Sequence, residues 1–312
     1  MPLAPTVLAL GGNALIRPGE QGSVAEQAAR VFEVSRTLAE LVAEGPLVIT
    51  HGNGPQVGRH LLRSDLLRDR VPPTSLELAV ASTQAEIGWM IQQALEDRLR
   101  GEGSSTPVLV LVTRVLVAAD DPAFLAPTKY VGAFYEEAAA LDLASQHGWR
   151  VRADGDRGWR RVVPSPRPLA IPEAEAIGRL CAQGAVVIAC GGGGIPIVDL
   201  GDRRAGVEAV VDKDLASALL ATQIKARRLI VLTGVDRVWQ GFGGPQPRAL
   251  DRISAGALRR LLQAGEFPAG SMGPKIEAAL DFLDQGGEEV LITSPESLDA
   301  ALRGEDGTWV HA

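Results

Sequence analysis

The chain has 312 residues, enough for one large α/β domain or two smaller ones with an ample core. Its formal net charge is −7 and no basic block stands out, so we expect no nucleic-acid partner. Two cysteines, Cys181 and Cys190, cannot form the disulfide framework of a secreted protein, and no apolar segment approaches the length of a membrane span. These features favour a soluble cytoplasmic protein with two buried free thiols and no membrane partner.

Two apolar strands near the N-terminus each end in a glycine-rich turn. Val7–Leu10 leads into Gly11–Asn13, and Leu47–Thr50 leads into His51–Gly54, after which Pro55 suits the first position of a helix. Glycine allows backbone angles that side chains forbid, so successive N–H groups at a helix N-terminus can point toward one anion. Each turn alone is more typical of an ordinary strand-to-helix connection. Together they predict a site that holds a phosphoryl group from two sides.

The rest of the first half alternates helix and strand signals. Capping boxes at Ser23–Glu26 and Thr74–Glu77 predict helices that end near Ala43 and Arg100. The apolar, β-branched segment Pro107–Val117 predicts one or two further strands. This alternation is typical of a parallel sheet covered by helices on both faces.

The pattern changes between Asp120 and Pro168. Arg150–Ala153 and Trp159–Val163 flank a turn at Asp154-Gly155 and predict a β-hairpin, which a proline-rich extended segment follows. We therefore expect a small inserted subdomain, at about residues 120–168, within a single domain that spans residues 1–312.

The second half returns to the alternation of strands and helices. Strands are predicted at Ala185–Cys190, Arg228–Leu232 and Glu289–Thr293, and helices at Glu173–Gln183, near Asp212, after Ser254 and from Gly270 onward. The first of these strands ends in the glycine run Gly191–Gly194. Ligands of open α/β sheets bind beyond the carboxyl ends of the strands, where these glycine turns fall.

The lysines are few, which makes their positions informative. Of 31 basic residues 27 are arginines, and the four lysines are Lys129, Lys213, Lys225 and Lys275. Arginine evidently serves as the general surface cation, so a retained lysine indicates a place that needs a compact ammonium group, unless the four simply escaped a compositional bias.

Two of the lysines stand where a helix dipole disfavours a cation. Lys213 and Lys275 each lie at a predicted helix N-terminus, and an anionic ligand would remove that conflict. Lys129 lies in a Pro-Thr-Lys segment of the subdomain, whereas Lys225 has the surroundings of a plain surface residue. We expect Lys213, Lys275 and Lys129 to bind phosphate groups. The alternative is that they form ion pairs that cap helices.

Phosphoryl transfer suits this set of residues. Its transition state spreads negative charge over the moving group, and catalysis is mostly positioning plus cationic stabilisation. Asp214 would orient the lysines, and no general base is needed if the acceptor is already an anion. His51 could be such a base, although a hydrogen-bonded structural histidine is the better interpretation. The sequence contains no P-loop and no protein-kinase motif, and its other histidines show no metal spacing.

The motifs resemble those of carbamate kinases, within the amino acid kinase superfamily. The resemblance runs nearly end to end, through Leu10–Leu15, Thr50–Gly58, Asp121–Phe124, Pro127–Lys129, Gly158–Pro166, Cys190–Pro196, Glu208–Asp214 and Gly270–Lys275. Many relatives carry a lysine two residues before the first Gly-Gly, where this chain has Ala9, as carbamate kinases do. The resemblance implies that Lys129 takes over the role of that lysine. Tyr130 departs from the family pattern, which has proline there.

The resemblance also implies a fold and a reaction. The fold is α/β, an open, mostly parallel eight-stranded sheet between helix layers, with a small protruding subdomain. The reaction is reversible phosphoryl transfer between carbamoyl phosphate and ADP, giving ATP and carbamate, with Mg²⁺ as cofactor and a homodimer as the assembly. Residues 1–185 would form the carbamate and phosphoryl lobe, and residues 186–312 the nucleotide-binding lobe.

The expected site residues lie in the matching motifs, except Thr233, which follows the predicted strand Arg228–Leu232. The expected catalytic residues are Lys129, Lys213, Asp214 and Lys275; those that bind substrate and the phosphoryl group are Gly11, Gly12, Asn13, Gly52, Asn53 and Gly54; and those that bind nucleotide are Lys213, Asp214, Thr233, Met272, Gly273, Pro274 and Lys275.

Two other functions remain open at this point. One is another superfamily enzyme, which phosphorylates an amino-acid carboxylate or an isoprenoid phosphate; Ala9 together with Lys129 argues against it. The other is a nucleotide-binding sensor without turnover, and the retention of all three loop lysines argues against that.

Overall fold

The computed structural model describes residues 3–12, 15–17, 20–268 and 270–312. In chain order its strands are β1 (Thr6–Leu10), β2 (Leu47–His51), β3 (Val108–Val110), β4 (Arg114–Val117), β5 (Lys129–Tyr135), β6 (Arg150–Ala153), β7 (Trp159–Val163), β8 (Pro168–Ala170), β9 (Val186–Ile188), β10 (Ile195–Asp199), β11 (Arg204–Gly206), β12 (Arg228–Leu232), β13 (Val238–Gln240), β14 (Arg248–Leu250), β15 (Arg252–Ser254), β16 (Glu289–Thr293) and β17 (Thr308–His311). The helices are α1 (Val24–Glu44), α2 (Gly54–Leu66), α3 (Leu76–Gly101), α4 (Glu137–His147), α5 (Ala174–Ala182), α6 (Lys213–Gln223), α7 (Ala255–Gln263), α8 (Met272–Asp284) and α9 (Leu298–Leu302).

The main sheet has eight strands among the described residues, in the order β15-β17-β16-β12-β1-β2-β9-β3. Its neighbouring strands are parallel except for the antiparallel pair β16–β17. The predicted open, mostly parallel eight-stranded sheet is therefore confirmed.

Alternate side chains of the central strands enter two separate cores. Val7 and Val48 pack on one face with residues of α5, α6, α7 and α8. Leu8 and Ile49 pack on the other face with residues of α1, α3 and α9. Because both faces are covered, these strands are buried at every position, and they carry consecutive apolar residues rather than an apolar residue at every second position.

The segment Pro107–Val117 contributes to two different sheets. β3 is the edge strand of the main sheet, whereas β4 belongs to a second sheet of the described chain, in the order β11-β10-β4-β8. At the break between them, the side-chain amide of Gln84 accepts a hydrogen bond from Thr113 N at 2.8 Å and donates one to Thr113 O at 3.0 Å. The buried backbone is thus satisfied where the strand pairing stops.

The subdomain is built on a three-stranded sheet in the order β5-β7-β6, which packs with α4. The predicted hairpin is the antiparallel pair β6–β7. β5, which begins at Lys129, was not predicted as a strand, and it pairs with β7 along the other edge. This sheet lies within residues 129–163.

One of the two predicted capping boxes is correct. Ser23 and Glu26 form both hydrogen bonds of the box at the start of α1. The box predicted at Thr74–Glu77 is wrong, since Ser75 caps α3 without a side-chain hydrogen bond. A carboxylate oxygen of Glu208 accepts from the N–H of Leu76 at 2.8 Å instead, so a distant residue satisfies the helix end.

Both cysteines of the chain are buried and free, as predicted. Burial raises the pKa of the Cys181 thiol to about 11 and raises the pKa of the Cys190 thiol as well, so both stay protonated at neutral pH. Among the described helices, none is long and apolar enough to cross a lipid bilayer.

The turn between β9 and β10 offers a test of packing. Gly193 has φ +91°, and a Cβ atom there would lie 2.4 Å from the carbonyl oxygen of Val211. Gly193→Ala should lower the free energy of unfolding by about 3 kcal/mol, because left-handed strain and steric displacement add. Urea unfolding measures this loss.

Gly184 is the matched control. Its φ is +90°, but a Cβ atom there would meet no atom within 4 Å. Gly184→Ala should therefore lose only the strain, about 1–2 kcal/mol. Equal losses in the two variants would show that the contact with Val211 contributes nothing.

Candidate active site

A cavity of about 270 Å³ opens beyond the carboxyl ends of β1 and β2. The N-termini of α2, α6 and α8 and the start of β5 surround it. Its lining residues are Gly12, Gly52, Asn53, Gly54, Pro55, Val57, Lys129, Tyr130, Val131, Gly192, Val210, Val211, Asp212, Lys213, Asp214, Gly270, Ser271, Pro274 and Lys275. Three helix N-termini directed at one space create a positive potential that favours an anion.

The cavity brings together three of the four lysines. Lys129 Nζ lies 2.6 Å from Asp212 Oδ2. Lys213 Nζ lies 2.8 Å from Asp214 Oδ1, and Lys275 Nζ lies 3.2 Å from Asp214 Oδ2. The fourth lysine is exposed at the end of α6 and does not line the cavity.

Asp214 joins the two lysines of the C-terminal half. Its side chain is buried, with 3% of the residue exposed. Burial alone would raise the pKa of Asp214, but the ammonium groups of Lys213 and Lys275 outweigh that effect and lower the pKa to about 2. Asp214 is therefore a carboxylate throughout the physiological pH range.

Asp212 links the subdomain to the same helix. Its Oδ1 accepts a hydrogen bond from Asp214 N at 2.9 Å and so caps α6, while its Oδ2 accepts one from Lys129 Nζ. The two carboxylates thus hold all three lysines in fixed positions.

The Lys213 ammonium has unused hydrogen-bonding capacity. Lys213 Nζ and Asp214 Oδ1 form an ion pair, but their geometry does not make a hydrogen bond. Both atoms are buried, and neither has a hydrogen-bond partner in the described part of the protein. A buried ammonium without hydrogen bonds is costly, and an anionic ligand would supply them.

The predicted phosphoryl-binding turns are only partly as expected. Gly12, Gly52, Asn53 and Gly54 line the cavity, whereas Gly11 does not, and Asn13 lies outside the described residues. The N–H of Gly52 was expected to point toward the anion. It instead donates to Leu10 O at 3.0 Å, because the parallel pairing of β1 and β2 continues one residue further.

One glycine turn, Gly191–Gly194, was placed by the sequence at the ligand-binding edge of the sheet but is not among the expected site residues. Gly192 lines the cavity, and a Cβ atom there would lie 2.0 Å from Asn53 Nδ2, so only glycine fits beside that side chain. The signal was present, since the glycine run at the end of β9 resembles the two turns that were chosen.

A second cavity, of about 360 Å³, adjoins the first and shares Ser271 and Lys275 with it. It is lined by Thr233, Gly234, Val235, Arg237, Trp239, Phe242, Glu266, Phe267, Pro268, Ser271, Met272 and Lys275. Of the predicted nucleotide residues, Thr233 and Met272 lie here and Pro274 lies in the first cavity. Gly273 lines neither cavity.

Three aromatic side chains of the second cavity were not predicted. Trp239, Phe242 and Phe267 come from the β13–β14 hairpin and from the loop after α7. Aromatic residues make up only 4% of the chain, so their gathering at one cavity indicates a flat apolar ligand. No local sequence pattern connects the two segments.

The described residues contain no cluster of three or more histidines, cysteines, aspartates or glutamates that could hold a metal ion. The two carboxylates of the first cavity are already paired with lysines. Within the described residues, the protein side of this site therefore does not form a metal cage.

Comparison with known proteins identifies the family. The model of the amino acid kinase family matches residues 4–294. The carbamate kinase-like protein YahI of Escherichia coli is 49% identical over 310 residues, which cover 97% of this chain and 98% of that protein. The carbamate kinase of Thermococcus kodakarensis is 44% identical over 308 residues, which cover 97% of this chain and 98% of that protein.

A solved structure agrees in fold as well as in sequence. The carbamate kinase from Giardia lamblia bound to AMP-PNP superposes with a TM-score of 0.92 at 38% identity, over 99% of this chain and 98% of that chain. The superposition thus extends over nearly the whole length of both chains. The chain therefore belongs to the amino acid kinase family, in its group of carbamate kinases.

Proposed function

We propose that this protein catalyses reversible phosphoryl transfer between carbamoyl phosphate and ADP, which gives carbamate and ATP. The observation that carries the proposal is the convergence of three lysines and three helix N-termini on one cavity. The full-length similarity to carbamate kinases supports this substrate pair over other carboxylates or isoprenoid phosphates.

The charges of the cavity suit the transition state of this reaction. The transferring group carries negative charge on its equatorial oxygens, and preorganised cations stabilise it without rearranging. Lys129 approaches from the subdomain, and Lys213 and Lys275 approach from the N-termini of α6 and α8. Asp214 keeps the last two lysines oriented.

The reaction needs no general base, because carbamate is already an anion. His51 does not provide one either. It is buried, its Nδ1 lies 3.0 Å from the carbonyl oxygen of Gly52, and burial together with the nearby Lys213 lowers its pKa to about 4. A neutral histidine bonded to the backbone in this way supports the turn after β2 structurally.

The second cavity suits the base and ribose of the nucleotide. It adjoins the phosphoryl site at Lys275, and its aromatic side chains offer faces on which a base can stack. AMP-PNP in the Giardia relative supports a nucleotide ligand.

Mg²⁺ would be held by the phosphate oxygens and water, since the described residues form no metal cage. The division into lobes 1–185 and 186–312 and a cytoplasmic location stay predictions.

A homodimer that forms along the β3 edge is also part of the proposal. β3 is the edge strand of the main sheet, and in the described part of the chain it pairs only with β9. A Cβ atom at Gly88 would lie 2.5 Å from a methyl group of Val110, so α3 packs tightly over this edge. Two apolar side chains near this edge are exposed: Trp89 of α3 by 58%, and Val112, just after β3, by 51%. An open edge with exposed apolar side chains favours pairing with a second copy.

A coupled assay tests the activity. The purified protein should form ATP from ADP and carbamoyl phosphate in the presence of Mg²⁺. Absence of turnover, together with clear activity on acetylglutamate or on an isoprenoid phosphate, would overturn the assignment. Nucleotide binding without turnover on any of these substrates would instead identify a sensor.

Lys129→Ala tests the cation supplied by the subdomain. Turnover should fall by roughly 10²–10³-fold, the scale for loss of one preorganised charge partner. ADP affinity should change little, because Lys213 and Lys275 remain. Lys129→Arg should also fail to restore full activity, since a planar fork cannot replace a point charge in a tight site.

Lys225 supplies the control for this substitution. It is exposed and has φ +54°, a conformation that asparagine tolerates, so Lys225→Asn removes a charge without strain. Turnover should stay at the wild-type value. Near-normal turnover of Lys129→Ala would show that the phosphoryl cation lies elsewhere.

Trp89→Lys tests the assembly. Light scattering should give the wild-type protein twice its chain mass of 32.8 kDa, and the variant should be a monomer because a charge would be placed at the paired edge. Leu200→Lys changes another exposed apolar residue, 48% exposed, which follows β10 of the second sheet, and this variant should remain a dimer. A wild-type monomer at micromolar concentration contradicts the proposal.

A further inference from the structure

Tyr130 lies next to Lys129 but on the opposite face of β5. Lys129 and Val131 point toward the body of the protein, where Lys129 meets Asp212 and Val131 packs in a core with Val57 of α2. Successive residues of a strand face opposite sides, so the Tyr130 side chain follows the other face of the subdomain sheet.

The Tyr130 hydroxyl spans the subdomain sheet. It donates a hydrogen bond to the carbonyl oxygen of Ala153, at the end of β6, at 2.7 Å. Because β7 lies between β5 and β6, this hydrogen bond joins the two outer strands directly. Few side chains can reach across a middle strand, and tyrosine is long and rigid enough to do so.

Arg160 of β7 completes the same arrangement. Its guanidinium lies 5.7 Å from the centre of the Tyr130 ring. It donates to Gly132 O at 3.0 Å and to Asp154 Oδ2 at 3.1 Å. Tyr130 and Arg160 therefore connect all three strands of the subdomain through side chains.

The Lys129 end of β5 depends on such connections because its strand pairing is short. Lys129, Tyr130 and Val131 pair regularly with β7, but the register shifts before Tyr135. At the irregular stretch, Gly132 lies against α2, where a Cβ atom on Gly58 would approach Gly132 Cα to 2.9 Å. The N-terminus of α2 lines the phosphoryl cavity, so the position of β5 is coupled to that turn.

We propose that Tyr130 is a positioning residue for the reaction, which holds the short strand that carries Lys129 at a fixed distance from the turn at Asn53-Gly54. The inference rests on the proposed function of Lys129. Tyr130 is among the residues that line the first cavity, but its hydroxyl is bound to Ala153 O, so its role in this proposal is to keep the neighbouring ammonium group in place.

Tyr130→Phe removes the hydroxyl and keeps the ring over which Arg160 lies. We expect kcat to fall about five-fold, the rate equivalent of one hydrogen bond of typical net strength. KM for ADP should stay unchanged, because the nucleotide cavity is not touched, and the melting temperature should fall by no more than about 2–4 °C, the shift that corresponds to one such hydrogen bond. Tyr135→Phe is the matched control, since Tyr135 is the other tyrosine of the chain and lies at the far end of β5 beside Trp149.

A double-substitution cycle separates positioning from general destabilisation. If Tyr130 acts through Lys129, Tyr130→Phe should cause no further loss of kcat in the Lys129→Ala background. A five-fold loss in both backgrounds, or no loss in the wild-type background, would overturn the proposal.

Hydrogen–deuterium exchange gives a readout independent of turnover. The peptide that contains residues 129–135 should exchange faster in Tyr130→Phe than in the wild type, and at the wild-type rate in Tyr135→Phe. Unchanged exchange would overturn the anchoring of β5 even if the enzyme is active. Faster exchange in a protein without carbamate kinase activity would uphold the anchoring and place the failure in the proposed function.

Discussion

The carboxylate of Asp214 is the interaction on which the rest of the site depends. Lys213 and Lys275 would repel each other in a buried position, and Asp214 holds one on each of its oxygen atoms. Removing one partner of a buried ion pair typically costs about 3–5 kcal/mol, because the remaining charge is left uncompensated. The first cavity contains three ammonium groups and two carboxylates, which leaves one net positive charge. The site thus carries a modest positive charge, to which the three helix N-termini add, and it attracts an anion most strongly at the lysine donors that a phosphoryl group can reach.

The fold explains why these groups meet. Parallel strands bring their carboxyl ends, and hence the N-termini of the following helices, to one edge of the main sheet. α2 and α6 begin there, and α8 begins beside them. The main sheet alone supplies no lysine at the first turn, where Ala9 is buried within β1. The subdomain brings Lys129 to the cavity from outside the sheet, which is why the stiffness of β5 matters to the chemistry.

Local signals allowed much of the fold to be predicted from the sequence. β12 and β16 have the predicted bounds, Arg228–Leu232 and Glu289–Thr293, because each contains an uninterrupted apolar run that begins directly after a charged residue. The capping box at Ser23 is correct because all of its hydrogen bonds lie within four residues. The scarcity of lysine likewise indicated Lys129, Lys213 and Lys275, which the structure brings together at the first cavity.

The expectations that failed depend on contacts between distant parts of the chain. Glu208 satisfies the N-terminus of α3 from 132 positions away, so the local box at Thr74 does not form. The N–H of Gly52 is used by β1, and the aromatic cavity joins two segments with no shared motif. Neither arrangement could be read from neighbouring residues, because each is decided by strand register or by packing.

The scarcity of lysine also affects how the protein meets reactive small molecules. Acylating and carbamoylating reagents attack neutral amines, and the always-protonated guanidinium of arginine resists them. Lys213 and Lys275 are shielded, with 13% and 17% of their side chains exposed, and each is ion-paired with Asp214. Lys129 is 38% exposed at the cavity, and it is the active-site amine most open to such reagents. The arginine-rich surface therefore leaves few lysine amines to react, Lys225 outside the cavity and Lys129 in it, and only the second reaction would affect the chemistry of the site.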